Sequence, residues 1–246
     1  MSKKESTIFG IYPVKEAIKA NVTFDKVFIQ KDLASDKLEA IEKELETENI
    51  SVSHVPIEKL NRLTKGNHQG IVAITSPITF KTIEEVVEES LEKKTPSLFI
   101  ILDQISDVRN FGAIIRTAEC TGVDAIIVQK KGGAPVSGDT VKTSAGAIFN
   151  VPICKVDHIK DAIFYLQASN IITIAASEKT KQTIYNTDLT RPMAIIMGSE
   201  GKGVSKSVLH LVDEQAALPL LGEINSLNVS VACGAILYET VRQRNL

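Results

Sequence analysis

The stretch Leu218-Pro219-Leu220-Leu221-Gly222-Glu223-Ile224-Asn225-Ser226-Leu227-Asn228-Val229-Ser230-Val231-Ala232 decides how the second half of the chain is read. A Pro, a Gly and a polar Asn-Ser pair precede an apolar run, Leu227 to Leu237, which continues into Glu239 and Arg242. That order describes a loop feeding a helix. Asn225 or Ser226 is the expected N-cap, since a side-chain oxygen there accepts a bond from an unpaired helix amide, and the first turn then offers free N–H groups to a ligand. Two further stretches are built to meet it, Asp103 to Ala118 and Met197 to Gly203.

Around these three segments the chain alternates short apolar strands with helices. Strands are expected at Leu98–Leu102, Ala125–Val128, Ile153, Ile171–Ala175 and Ala194–Met197, with helices near Asn110–Thr121, Val141–Ala147 and His158–Ala168. Continuous β-branched strands of this kind belong to a parallel sheet covered on both faces. The expectation is a doubly wound α/β domain over residues 98–246 that binds ligands at the carboxyl ends of its strands.

Residues 1–77 read as a separate small α/β unit. Pro13 opens a short helix, Val27–Ile29, Val52–Val55 and Ile71–Ile74 are strands, and Lys37–Glu48 is amphipathic with Leu38, Ile41 and Leu45 on one face. The polar loop Lys65-Gly66-Asn67-His68-Gln69-Gly70 is either an ordinary turn or a nucleic-acid contact. Residues 78–97, with Glu84, Glu85, Glu88, Glu89 and Glu92, form an acidic linker helix ended by Pro96.

Composition narrows the function. With 246 residues, 43% of them hydrophobic, the chain has ample material for buried cores. The polar start Met-Ser-Lys-Lys-Glu-Ser and the lack of an apolar run of membrane length predict a cytoplasmic protein. The net charge of −2 gives no global basic field, so any nucleic-acid binding has to come from local patches. Cys120, Cys154 and Cys233 lack zinc-site spacing and are expected to be buried thiols.

The loop Gly198–Gly203 follows a strand as a ligand loop should, yet it is not a Walker A motif, because Ile196 stands where a glycine is needed and Val204 is neither Ser nor Thr. Nor does it carry the dinucleotide glycine spacing. His54, His68, His158 and His210 lie in no nucleophile or metal motif, and no metal is expected.

Taken together, Asp107-Val108-Arg109-Asn110-Phe111-Gly112-Ala113-Ile114-Ile115-Arg116-Thr117-Ala118, Met197-Gly198-Ser199-Glu200-Gly201-Lys202-Gly203, and Leu218-Pro219 through Ser226-Leu227-Asn228-Val229-Ser230-Val231-Ala232 resemble, in order, the three motifs of the SpoU (TrmH) RNA ribose 2′-O-methyltransferases of the SPOUT class. Phe9-Gly10 and His68-Gln69-Gly70-Ile71-Val72-Ala73 resemble that family's substrate-binding domain, so the likeness spans nearly the whole chain. It implies a trefoil-knotted catalytic domain, preceded by an RNA-binding domain similar to kink-turn-binding ribosomal proteins. It also implies S-adenosylmethionine as methyl donor, and a homodimer with residues of both subunits at the site. The nearest resemblance is to enzymes acting on a guanosine of 23S rRNA, with tRNA enzymes next.

Carried over by position, Met197, Gly198, Leu218, Pro219, Ser226 and Leu227 would hold the donor, and Asn110, Arg116, Glu200, Ser226 and Asn228 would form the catalytic set. Glu200 and Asn228 are expected to support each other rather than move protons. Arg109, Lys130, Lys131, Lys142 and Lys202, with His68 and Gln69, are the expected RNA contacts. Val108 departs from the family, which commonly has Pro there, and this bears on loop geometry more than on chemistry. Two other readings compete: a non-catalytic RNA-binding protein, which would be expected to lack Arg116 or the Ser226–Asn228 segment, and a small-molecule enzyme with a nucleotide cofactor, against which the missing phosphate loops count.

Overall fold

Strands Thr7–Phe9 (β1), Phe24–Gln30 (β2), Val52–Val55 (β3) and Ile71–Thr75 (β4) form one sheet in the order β1-β4-β2-β3; β2 and β3 run parallel and the other pairs antiparallel. The computed structural model describes residues 7–48 and 50–245. Helices Ile11–Lys19 (α1) and Asp36–Thr47 (α2) bury Val14, Ala17, Leu38, Ile41 and Leu45 with Val27, Ile29, Ile71 and Ala73, while Ile57–Leu63 (α3) buries Leu60 with Phe28 and Val72. Neighbours in sequence, Phe28 with Ile29 and Val72 with Ala73, thus face opposite layers, as the two-residue period of a strand requires.

The chain divides into two units, the first running to Thr79 with Pro135–Asp139, the second comprising Phe80–Ala134 and everything from Thr140. The acidic helix Ile83–Leu91 (α4) belongs to the second. Its glutamates lie on the outer side, whereas Val86 and Val87 enter the core with Phe99, Ile101 and Cys154. A capping box, in which the Thr82 hydroxyl accepts from the Glu85 amide and the Glu85 carboxylate from the Thr82 amide, starts it.

The remaining strands and α-helices are Leu98–Asp103 (β5), Val108–Cys120 (α5), Ala125–Gln129 (β6), Gly138–Thr143 (α6), Ile153–Val156 (β7), Ile159–Ala168 (α7), Ile172–Ala176 (β8), Met193–Gly198 (β9), Lys206–Leu209 (α8), Glu214–Ala216 (β10) and Val229–Arg244 (α9), all in the second unit except the first two residues of α6. The six strands are all parallel, in the order β10-β8-β9-β5-β6-β7. Phe99, Ile101, Ile127, Ala194 and Ile196 face α7 and α4; α9 packs on the opposite face against α5 and β9. Strand β10 and helix α8 escape the sequence reading because Glu214-Gln215-Ala216 is too short and polar to carry a strand signature.

Helix α9 is tied down at its far end. The Arg244 guanidinium donates to the carbonyls of Leu189, Arg191, Pro96 and Ser97 at distances of 2.7–3.1 Å, which fastens the helix to the amino ends of β5 and β9. Arg244→Ala is expected to lower stability by roughly 1.5–3 kcal/mol, the scale of a hydrogen-bonded charge, measured by denaturant unfolding.

One turn earlier, the buried Glu239 accepts from Arg242 (2.7 and 2.8 Å) and Gln243 (2.8 Å), and these bonds hold its carboxyl down at about 2. A depressed carboxylate stabilises the fold above its unfolded-state pKa of about 4.5. That contribution is expected to fade as pH falls from about 4.5 towards 2, and Glu239→Gln should flatten the acid limb of a thermal-melt series.

Among the described residues no helix is long and apolar enough to cross a membrane. Cys154 and Cys233 are buried, and burial pushes both thiols up to about 12. Cys120 is exposed, contrary to the expectation, because it is the last residue of α5 and points away from the core.

Candidate functional site

The carboxyl ends of β8, β9 and β10 open onto a cavity of about 440 Å³, of a size that holds small molecules. Its lining runs from Ala176–Glu178 after β8, through Met197–Gly201 and Gly203 after β9, to Leu218, Leu220 and Asn225–Val229 before α9, with Ala232 and Ile236 on that helix. The lining mixes apolar side chains, among them Met197, Leu218, Leu227 and Ile236, with polar ones such as Ser177, Glu200 and Asn228.

The glycine loop after β9 is a tight turn in which the Gly203 amide donates to the Ser199 carbonyl at 2.8 Å. A Cβ on Gly198 would lie 2.0 Å from the Gly203 carbonyl carbon and the Val204 nitrogen, so this position has no room for a side chain. Buried Asp103, at the end of β5, accepts from the Ser205 amide at 2.7 Å and holds the loop from behind.

Three side chains from three distant segments meet at the rim. The Asn110 amide nitrogen donates to Glu200 Oε1 at 3.0 Å; Asn228 Nδ2 donates to Asn110 Oδ1 at 3.0 Å and to Glu200 Oε1 at 2.6 Å. This network joins the first turn of α5, the glycine loop and the start of α9. Asn110 is held in turn by Asp107, whose carboxylate accepts from the amides of Arg109 (2.8 Å) and Asn110 (2.9 Å). That cap also settles the question raised by Val108. The residue is the first of α5, where Pro is favoured because its missing N–H is an orphan anyway and its φ suits a helix, and the Asp107 cap fixes the turn without it.

Asn228, rather than Asn225 or Ser226, is the N-cap of α9. Its Oδ1 accepts from the Ser230 amide (3.0 Å), the Ser230 hydroxyl (2.6 Å) and the Val231 amide (3.4 Å), so the helix begins at Val229 and two first-turn amides expected to be open to a ligand are already used. Asn228→Ala therefore removes a cap and the link between loops together. About 1 kcal/mol of stability is expected to go with the cap, and donor affinity should fall as well. Asn228→Asp keeps the cap but sets a second carboxylate against Glu200, so its donor affinity, measured by calorimetry, should still fall below that of the wild type.

Of the expected donor-site residues, Met197, Gly198, Leu218, Ser226 and Leu227 line the cavity, and Pro219 does not. Ala176, Ser177, Glu178, Ala216 and Ile236 line it without having been singled out: nothing in or after the short β8 and β10 segments marks the first four, and Ile236 is one of many apolar residues of α9. Arg116 is exposed on α5, lies outside the cavity lining, and makes no hydrogen bond or ion pair among the described residues.

The expected RNA contacts separate into two kinds. Arg109, Lys131, Lys142 and Lys202 are exposed, and Arg109, Lys131 and Lys202 follow the carboxyl ends of β5, β6 and β9. Lys142 is brought close to the start of α5 because the neighbouring Thr143 packs against Gly112 and donates to the Val108 carbonyl at 3.2 Å. Lys130 is instead engaged by Asp157 at 3.0 Å, with its side chain only 14% exposed. In the first unit His68 is buried, its Nδ1 accepting from the Gly70 amide (3.0 Å) and its Nε2 paired with Asn61 (3.1 Å). It holds the loop rather than reaching outward. Gln69 remains exposed but spends its Oε1 on the first amide of α1, Ile11, at 3.1 Å. Among the described residues no cluster of three or more His, Cys, Asp or Glu is placed to hold a metal ion.

The SpoU rRNA Methylase family model matches residues 97–238, and the model for RNA 2′-O ribose methyltransferase substrate binding matches residues 7–81. The chain belongs to the SpoU methylase family. A TrmH family tRNA/rRNA methyltransferase of Staphylococcus aureus is 33% identical over 243 residues, covering 98% of each chain; one of Staphylococcus epidermidis is 34% identical over 244 residues, covering 98% of this chain and 97% of its own. The SpoU methyltransferase AviRb from Streptomyces viridochromogenes, solved with AdoMet, shares the fold at a TM-score of 0.62 and 22% identity, over 97% of this chain and 90% of its own. The TrmH/SpoU tRNA modifying enzyme of A. aeolicus has a TM-score of 0.57 and 30% identity, over 66% of this chain and 82% of its own. As a SpoU family member the chain is an RNA methyltransferase, and its first unit is the family's substrate-binding domain.

Proposed function

We propose that this SpoU family enzyme transfers a methyl group from S-adenosylmethionine to the ribose 2′-hydroxyl of a guanosine in 23S rRNA, acting as a homodimer. The observation that carries the reading is the meeting of Asn110, Glu200 and Asn228 beside a cavity formed by the glycine loop and the segment before α9. The cavity fits the donor, with Met197, Leu218, Leu227 and Ile236 offering apolar walls to adenine and loop backbone around Gly198 and Leu218 lying open to its polar edge.

When bound, S-adenosylmethionine supplies an electrophilic methyl group; the new oxygen–carbon bond forms as the sulfur–carbon bond breaks, and the hydroxyl proton departs. The chain's own residues align the two reactants, and such positioning can supply several kcal/mol. Glu200 and Asn228 act as supports that keep the two donor loops in register. Asn110 orients the acceptor ribose or the Arg116 fork. Arg116 works as a cation that holds the RNA phosphate and stabilises charge developing on the 2′-oxygen, because a guanidinium with a pKa above about 12 is a poor base.

The homodimer reading draws on Val231 and Tyr238, which lie seven residues apart on one side of α9 and are 58% and 57% exposed, unusual for large apolar side chains on a helix that packs on α5. RNA affinity is expected to be salt-dependent through Arg109, Lys131, Lys142 and Lys202, since each neutralised phosphate releases counterions.

A second reading, a tRNA substrate, is favoured by the 30% identity to the A. aeolicus tRNA modifying enzyme. Mapping ribose methylation across ribosomal and transfer RNA from cells with and without the protein separates them. Loss of one 2′-O-methylguanosine in 23S rRNA is the expected result; loss confined to tRNA selects the second reading.

A further inference from the structure

Two exposed carboxylates line the cavity, in opposite circumstances. Glu200 is engaged by Asn110 and Asn228, whereas Glu178 makes no hydrogen bond or ion pair among the described residues. Glu178 follows β8, and its place is set by its neighbour. The Ser177 amide donates to the Ala216 carbonyl at 3.0 Å and its hydroxyl accepts from the Lys179 amide at 3.3 Å, so the turn carrying Glu178 is tied on both sides.

The Glu178 carboxylate faces the glycine loop. Both of its oxygens lie 3.9 Å from where a Cβ of Gly203 would sit, and Gly203, at φ +68°, is in a conformation that favours glycine. Strand β8 borders β9, the strand feeding that loop, on the side away from β5 and α5. Glu178 is therefore separated by the width of the loop from Asn110 and from the helix that bears Arg116.

From this geometry we infer that Glu178 accepts hydrogen bonds from the ribose hydroxyls of the adenosine donor and so sets donor affinity and selectivity. An unpartnered carboxylate with two oxygens presented side by side suits a pair of vicinal hydroxyls. Dinucleotide-binding sheets use the same chemistry, placing an acidic residue beyond the glycine-rich turn to accept a ribose hydroxyl. The assignment rests on the reading of this cavity as the donor site. Because Glu178 stands away from the reacting side, it governs binding of the donor and not the rate of transfer.

The test is calorimetric titration of the full-length chain and its Glu178→Ala and Glu178→Gln variants with S-adenosylhomocysteine and with 3′-deoxy-S-adenosylhomocysteine. The wild type is expected to bind the deoxy ligand roughly ten- to hundred-fold more weakly, the scale of hydrogen bonds to a charged group. Both variants should bind S-adenosylhomocysteine correspondingly weakly while no longer distinguishing the two ligands, with unchanged melting temperatures and with kcat at saturating donor near that of the wild type. Variants that bind as the wild type does, or that still discriminate fully against the deoxy ligand, overturn the role of Glu178 and leave the donor site standing. A wild-type chain that binds neither ligand overturns the donor site itself and this assignment with it.

Discussion

Arg116→Ala is expected to lower kcat by roughly 10²–10³-fold or more, the loss seen when a group that stabilises transition-state charge is removed, while donor affinity stays almost unchanged. The separation follows from where the residue sits. Arg116 is on α5, exposed, outside the cavity lining and without a hydrogen-bond partner among the described residues, so neither the donor pocket nor the fold depends on it. It lies seven residues beyond Arg109, two turns along the same helix face, so the two guanidiniums share one exposed side of α5. Arg116→Lys keeps the charge but not the planar fork, and should retain part of the activity. Single-turnover kinetics with saturating donor, together with calorimetry, checks both halves. Near-normal turnover by the alanine variant removes Arg116 from the mechanism.

Gly198→Ala is expected to abolish donor binding, with an affinity loss beyond about 100-fold and a destabilisation of about 1–3 kcal/mol, the usual cost of overpacking. The added methyl would sit 2.0 Å from backbone atoms of Gly203 and Val204, and backbone has no rotamer by which to retreat. The loop would have to open, taking with it the cavity wall and the attachment of Glu200 to Asn110 and Asn228. Gly201→Ala is the control. That residue has φ +78° but nothing within 4 Å of a new Cβ, so only conformational strain of about 1 kcal/mol arises. Equal behaviour of the two variants in donor titration and thermal melting would show that the close approach at Gly198 does not shape the site.

The parts of this structure legible in the sequence are those governed by local pattern. The β-branched runs of β5, β6 and β9 announce buried parallel strands, and the Leu38, Ile41 and Leu45 spacing announces α2. What stays hidden depends on partners remote in sequence. The sequence reading puts the cap at Asn225 or Ser226, and the structure puts it at Asn228, which Asn110, 118 residues away, and Glu200 hold in place. His68 reads as an RNA contact until Asn61 and the Gly70 amide are seen to occupy both of its ring nitrogens. Lys130 reads as a free cation until the adjacent parallel strand brings Asp157 to it. Glu178 carries no sequence signal at all, because it reaches the cavity only through β8 lying beside β9 in the sheet. The three family motifs are visible as motifs, and the mutual support of Glu200 and Asn228 is anticipated from them; that Asn110 bonds to both is not.

The central claim is that one cavity, closed by the glycine loop and the segment leading into α9, presents a methyl group to the ribose of RNA. The most direct test incubates the purified protein with methyl-labelled S-adenosylmethionine and total RNA from cells lacking it, then digests the RNA to nucleosides. Label recovered in a 2′-O-methylnucleoside, absent with Arg116→Ala, is the result this account predicts. Label on a base, or RNA left unlabelled by a folded protein that binds the donor, contradicts it.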